Sequence, residues 1–135
     1  MSCWCNNTRS IKVNSIDVLV VSIGGSNSTR LIKTLNGFNL KTNCMHDTDH
    51  LKHLNYNYSK SLVDLYEPKK NIYVYNDCIN SLYSLFRRNF QWPQIKKLTN
   101  NKNQLPDKVK TVADYVKYTE KDLFEFVKLF KFYVH

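Results

Sequence analysis

The sequence predicts an α/β fold with a P-loop-like parallel sheet flanked by helices, because two β-rich segments are each followed by a turn and a helical pattern. The first, Ile16 to Ile23, is an apolar run with three valines, which is typical of a buried strand. The second is Ile72 to Tyr75, and Ile79 to Phe90 after it has helical spacing. Strand, loop, helix, repeated once, is typical of a parallel sheet. Two strands are few for such a sheet, so we expect a minimal or truncated fold.

The remaining segments predict helices and loops. Ser26 is predicted to cap a helix that ends at Gly37. Residues 51–65 are predicted to form a second helix, and residues 99–108 a polar loop.

The end of the chain predicts an amphipathic helix. Thr119 and Asp122 fit a capping box at its start. The predicted apolar face consists of Leu123, Phe126, Val127 and Phe130.

Length and charge restrict the possible classes of protein. A chain of 135 residues predicts one domain, which we place at residues 16–135 after a flexible tail at residues 1–15. The net charge of +9 favours phosphates, nucleic acid or acidic surfaces as partners and does not choose among them. The four cysteines have no zinc spacing and predict free thiols. Without an apolar membrane span or a signal-peptide core, we expect an intracellular, cytoplasmic protein.

The glycine turn after the first predicted strand is a candidate phosphate site. Glycines let the backbone approach a ligand, and the following helix offers N–H groups and the positive end of its dipole. The loop lacks the G-x-x-x-x-G-K-[ST] pattern of ATP-binding P-loops, and glycine turns of this kind also occur without a ligand. The candidate residues are Gly24, Gly25, Ser26, Asn27, Ser28, Thr29 and Arg30.

A second candidate anion site follows the second predicted strand. Asn76 lies at the carboxyl end of that strand, where ligands of open α/β sheets bind. Ser81, Ser84 and Arg88 share one face of the next helix. A hydroxyl and a guanidinium on one face suit a phosphate. Alternatively, the arginines only complement the dipole at the end of the helix.

Together and in this order, the two motifs resemble the sulfotransferase family, whose members use 3′-phosphoadenosine 5′-phosphosulfate as donor. The run "SLYSLFRRNF" is also similar to a divergent branch of that family. The resemblance spans roughly residues 16–130. It implies that Gly24 to Thr29 hold the 5′-phosphosulfate and that Ser84 and Arg88 bind the 3′-phosphate.

The chain departs from the family at three positions. Gly25 stands where the family has a loop lysine, and Asn76 stands where it has a turn arginine. Residues 60–62, "KSL", lack the family's histidine, so His53, or else His50, would be the base through another geometry. The resemblance therefore implies either sulfuryl transfer to an unknown hydroxyl or amine acceptor, or a non-catalytic domain that binds a nucleotide or a protein partner.

Two other clusters carry weaker alternatives. The segment "MHDTDHLKH" has His and Asp pairs four residues apart, which suit a metal only if the segment is helical, and we predict no metal site. Tyrosines and Trp92 among many lysines are compatible with a basic nucleic-acid-binding module, a more distant alternative.

Overall fold

The computed structural model describes residues 15–54 and 66–134, which form two strands and five helices. The chain divides into two compact units, one of Met1–Ser22 with Asn27–Val74, the other of Ile23–Ser26 with Tyr75–His135. The α/β class predicted from the sequence is confirmed. In chain order the elements are β1 (Val18–Ser22), α1 (Ser28–Gly37), β2 (Lys70–Val74), α2 (Cys78–Arg87), α3 (Gln91–Leu98), α4 (Val112–Tyr118) and α5 (Phe126–Val134).

The first unit is built on a parallel pair of strands. Val18 lies opposite Lys70 and Ser22 opposite Val74, so the predicted parallel arrangement is confirmed. All of β1 is buried, as its apolar sequence requires, whereas β2 begins exposed and becomes half-buried. Ile32 of α1 packs against the apolar side chains of β1.

An irregular segment covers the other edge of β1. There the Asn43 side-chain amide makes the hydrogen bonds that the backbone of a neighbouring strand would make. Its Oδ1 accepts from the Val20 N–H at 2.8 Å, and its Nδ2 donates to the Val20 carbonyl at 2.9 Å. Two residues further on, the Ser22 N–H donates to the Lys52 carbonyl at 2.8 Å. The backbone of β1 is thus hydrogen-bonded on both edges, although β2 is the one strand that pairs with it among the described residues.

The start of α1 differs from the prediction. Asn27, not Ser26, occupies the N-cap position, with a left-handed φ of 60° and no side-chain cap. The prediction that Ser26 caps the helix is therefore wrong. The predicted end is confirmed, since α1 closes at Gly37.

The second unit contains two helices that the sequence analysis did not predict. Pro93 is the third residue of α3, where an N–H would have no intrahelical acceptor, so the proline is tolerated. The other unpredicted helix, α4, begins at a capping box formed by Thr111 and Asp114. The capping box predicted at Thr119 and Asp122 is wrong, because Thr119 ends α4.

The buried face of the last helix also differs from the prediction. Phe126 and Leu129 are buried, whereas Val127 is 51% and Phe130 37% exposed. Glu125 has a φ of 57°, so the helix cannot extend back to Leu123. The buried face of α5 is therefore rotated about the helix axis relative to the predicted apolar face.

Some predictions fall largely on residues outside the described ranges. Residues 1–14 of the tail predicted at residues 1–15 lie there, as do residues 55–65 of the helix predicted at residues 51–65. The described residues 51–54 are not helical. In the described ranges, no helix is both long and apolar enough to cross a membrane.

Candidate functional site

The glycine turn has the backbone that its sequence predicts. Gly24 and Gly25 have φ values of +96° and +68°, and Asn27 follows with 60°. Residues other than glycine rarely adopt these values, apart from Asn and Asp. The turn leads directly into α1, whose first-turn N–H groups have no acceptor within the helix.

Within the second unit, the turn is pressed against α2 and α3. A Cβ atom at Gly25 would lie 2.9 Å from the Ser84 Cβ and 3.3 Å from the Ser81 Cα. A Cβ atom at Gly24 would lie 2.9 Å from the Gln94 Nε2, which donates to the Ile23 carbonyl at 3.0 Å. The structure thus brings together Gly25 and Ser84, one residue from each candidate motif.

Several polar side chains of the second unit are buried without a partner in the described part of the chain. They are the hydroxyls of Ser26 and Ser81 and both polar atoms of the Gln91 amide. Leaving such a group unsatisfied costs about 1–3 kcal/mol, so they usually bind ordered water or ligand atoms.

In the first unit, His53 contacts the end of β1. Its Nδ1 lies 2.9 Å from the Ser22 carbonyl oxygen and 3.2 Å from the Ser22 hydroxyl, which in turn donates to the Ser28 hydroxyl at 3.0 Å. A carbonyl can only accept, so Nδ1 carries the proton and Nε2 is the basic nitrogen. The imidazole predicted as a base is therefore linked through the Ser22 hydroxyl to Ser28, the first residue of α1.

Lys52 is a residue that the sequence analysis missed. It is only 8% exposed, and its Nζ donates to the Thr29 hydroxyl at 2.5 Å and to the Met45 carbonyl at 2.8 Å. It therefore brings a cation to the first turn of α1. The one signal for it in the sequence is its position next to His53.

A groove of about 540 Å³ lies in the second unit, along α2 and the start of α4. We call it the α2–α4 groove. It is lined by Asn80, Tyr83, Ser84, Phe86, Arg87, Lys110, Thr111 and Val112.

Only part of the predicted Ser84–Arg88 pair lines the α2–α4 groove. Arg88 instead bonds to the end of its own helix, because its Nε donates to the Ser84 carbonyl at 3.1 Å. Its guanidinium lies 5.1 Å from the centre of the Phe90 ring. Arg87, which the sequence analysis treated only as a helix-end charge, is the arginine in the groove.

The other predicted site residues lie at the surface. Arg30, Asn27 and Asn76 are exposed, and the Asn76 side chain accepts from the Asp77 N–H at 2.9 Å. Nearby, burial and the carboxylates of Asp122 and Asp77 raise the pKa of the Cys78 thiol. The raised pKa disfavours the thiolate form of Cys78, which is the nucleophilic form of a cysteine.

The His- and Asp-rich segment is used for turns. Asp49 accepts from the Cys44 N–H, and Asp47 accepts from the Lys52 N–H at 2.9 Å. No group of three potential metal ligands is found in residues 15–54 and 66–134.

These elements define a small α/β protein with a parallel strand pair and a glycine turn after its first strand. Comparison with protein-family models, with curated proteins and with solved structures found no match for this chain.

Proposed function

We propose that this chain is a sulfotransferase-like protein that binds 3′-phosphoadenosine 5′-phosphosulfate or its product, adenosine 3′,5′-bisphosphate. The observation that supports this proposal is the packing of Gly25 against Ser84. These residues belong to the two motifs on which the resemblance rests, and they are far apart in sequence. Their contact is what a common ligand for both motifs would require.

The charges and hydroxyls at the start of α1 support the same ligand. Ser28 and Thr29 lie in the first turn, where a helix attracts anions. The Lys52 Nζ, held at the Thr29 hydroxyl, brings a cation to the first turn of α1. In this proposal the glycine turn holds the 5′-phosphosulfate and Ser84 contacts the 3′-phosphate.

With His53 as the general base, the protein would be an enzyme. In the proposed reaction, an acceptor hydroxyl or amine attacks the sulfur, the bond from sulfur to the bridging phosphate oxygen breaks, and adenosine 3′,5′-bisphosphate leaves. The acceptor proton passes to Nε2 of His53. Lys52 would stabilise the negative charge that develops on the bridging oxygen.

The proposal predicts saturable 1:1 binding of adenosine 3′,5′-bisphosphate in a calorimetric titration. Ser84→Ala should weaken binding by about tenfold, because it removes a hydrogen bond to a charged phosphate. Ser15→Ala, at an exposed serine, is the matched control and should leave the affinity unchanged. Absence of binding to a folded sample would contradict the proposal.

Catalysis is tested separately with a transfer assay from the phosphosulfate donor to a panel of phenols and amines. His53→Gln should lower turnover by about 100-fold and leave bisphosphate affinity unchanged, because the glutamine amide can still donate to the Ser22 carbonyl but cannot take up the proton. His46→Gln, at an exposed histidine, is the control. Bisphosphate binding without any transfer by the native protein would favour the second candidate, a non-catalytic binding protein. In that protein Gly25 and Asn76 stand where the sulfotransferase family has a lysine and an arginine.

A further inference from the structure

We propose that the α2–α4 groove is a separate binding site for a small aromatic oxyanion, of the aryl phosphate class. This goes beyond the proposed function, because it assigns a second ligand to a surface outside the glycine turn, with Ser84 as the one lining residue that the proposed nucleotide site also uses. The groove volume of about 540 Å³ falls within the range of small-molecule sites.

The charge of the groove selects an anion. Arg87 and Lys110 line it, and no carboxylate is among its lining residues. In the described ranges neither cation forms an ion pair. A guanidinium can bind two oxygens of a phosphate at once, and a lysine adds a second cation.

The backbone N–H groups of Lys110 and Thr111, at the start of α4, are not available to bind an anion in the groove. The Asp114 carboxylate accepts from the Lys110 and Thr111 N–H groups at 3.1 and 2.9 Å. The Thr111 hydroxyl accepts from the Asp114 N–H at 3.0 Å. The N–H groups of Lys110 and Thr111 are therefore occupied, and an anion in the groove depends on Arg87 and Lys110.

The apolar part of the groove selects an aromatic body. Phe86 is only 6% exposed and is fixed by ring contacts with Tyr115 at 6.0 Å and Phe124 at 6.5 Å between centroids. Tyr83 lines the same groove and is 60% exposed, so its ring is accessible to a ligand in the groove. A fixed aromatic side chain and an exposed one favour a flat apolar ligand next to the two cations.

Titration with phenyl phosphate tests the assignment, with inorganic phosphate and phenol as half-ligands. Phenyl phosphate should bind at least about tenfold more tightly than either half, because only it uses both parts of the groove. Arg87→Gln should weaken phenyl phosphate by about tenfold, as should Lys110→Gln.

The chain offers matched controls for both cations. Arg88→Gln removes the neighbouring arginine, which contacts Phe90 instead of the groove, and should leave the affinity unchanged. Lys108→Gln removes an exposed lysine outside the lining and should also be neutral. Thermal melts of all four variants establish that they are folded.

Three results would overturn the assignment. They are equal affinities of the Arg87→Gln and Arg88→Gln variants, equal affinities for phenyl phosphate and inorganic phosphate, and displacement of phenyl phosphate by adenosine 3′,5′-bisphosphate. Displacement would make the groove part of the nucleotide site rather than a second one. Phenyl phosphate binding in a protein that ignores the bisphosphate would support the groove and contradict the proposed function, so the two failures are distinguishable.

Discussion

Gly25→Ala is expected to lower the free energy of unfolding by about 3 kcal/mol. A left-handed backbone costs a residue with a side chain about 1–2 kcal/mol, and the φ of Gly25 is +68°. The new Cβ would also lie 2.9 Å from the Ser84 Cβ, an overpacking that costs about 1–3 kcal/mol. Urea denaturation measures the loss of stability, and calorimetry of the folded fraction should show the loss of bisphosphate binding.

Gly37→Ala is the matched control. A Cβ atom added at Gly37 would meet no other atom within 4 Å, and this glycine ends a helix with an ordinary φ. Its replacement should be neutral or stabilise by up to about 1 kcal/mol. Gly25→Ala should cost less in a Ser84→Gly background than in the native protein, since the opposing Cβ is removed; the double variant is compared with Ser84→Gly alone, because a glycine inside α2 itself costs about 1 kcal/mol. Equal effects of the two glycine substitutions, or the same cost of Gly25→Ala in both backgrounds, would contradict the packing of the turn on α2.

Phe124→Ala is expected to be more damaging still, with a loss of about 3–5 kcal/mol. Phe124 is 0% exposed. Its ring lies 5.1 Å from that of Phe126 and 5.6 Å from that of Tyr115, between centroids. Truncation would leave a cavity at the centre of this aromatic cluster. Because small proteins are stable by only about 5–15 kcal/mol, the measurement is best made by urea denaturation at low temperature.

Phe132→Ala is the size-matched comparison. Phe132 is 46% exposed, so its loss should cost less than about 1 kcal/mol. A result in which Phe132→Ala is as damaging as Phe124→Ala would show that the buried face of the second unit has been assigned to the wrong residues. The apolar face predicted from the sequence omits Phe124, so a large loss at this position supports the observed core.

The candidate site was predictable wherever the signal is local. Gly24 and Gly25 indicate a turn with positive φ, and the spacing of Ser84 places it on a helix after the second strand. Arg87 and Lys52 were missed because their positions depend on packing. Adjacent residues on a helix point about 100° apart, so whether Arg87 or Arg88 lines the groove depends on what surrounds α2.

The sequence by itself determined the order of the elements around the two strands, the buried first strand and the glycine turn. These follow from hydrophobic runs and backbone preferences, which act over a few residues. Only the tertiary structure decided that Asn43 covers the free edge of β1, that Lys52 reaches Thr29, and that Phe124 is buried. Each of these depends on contacts between residues distant in sequence, or on a single positive φ such as that of Glu125, and the local pattern does not encode either.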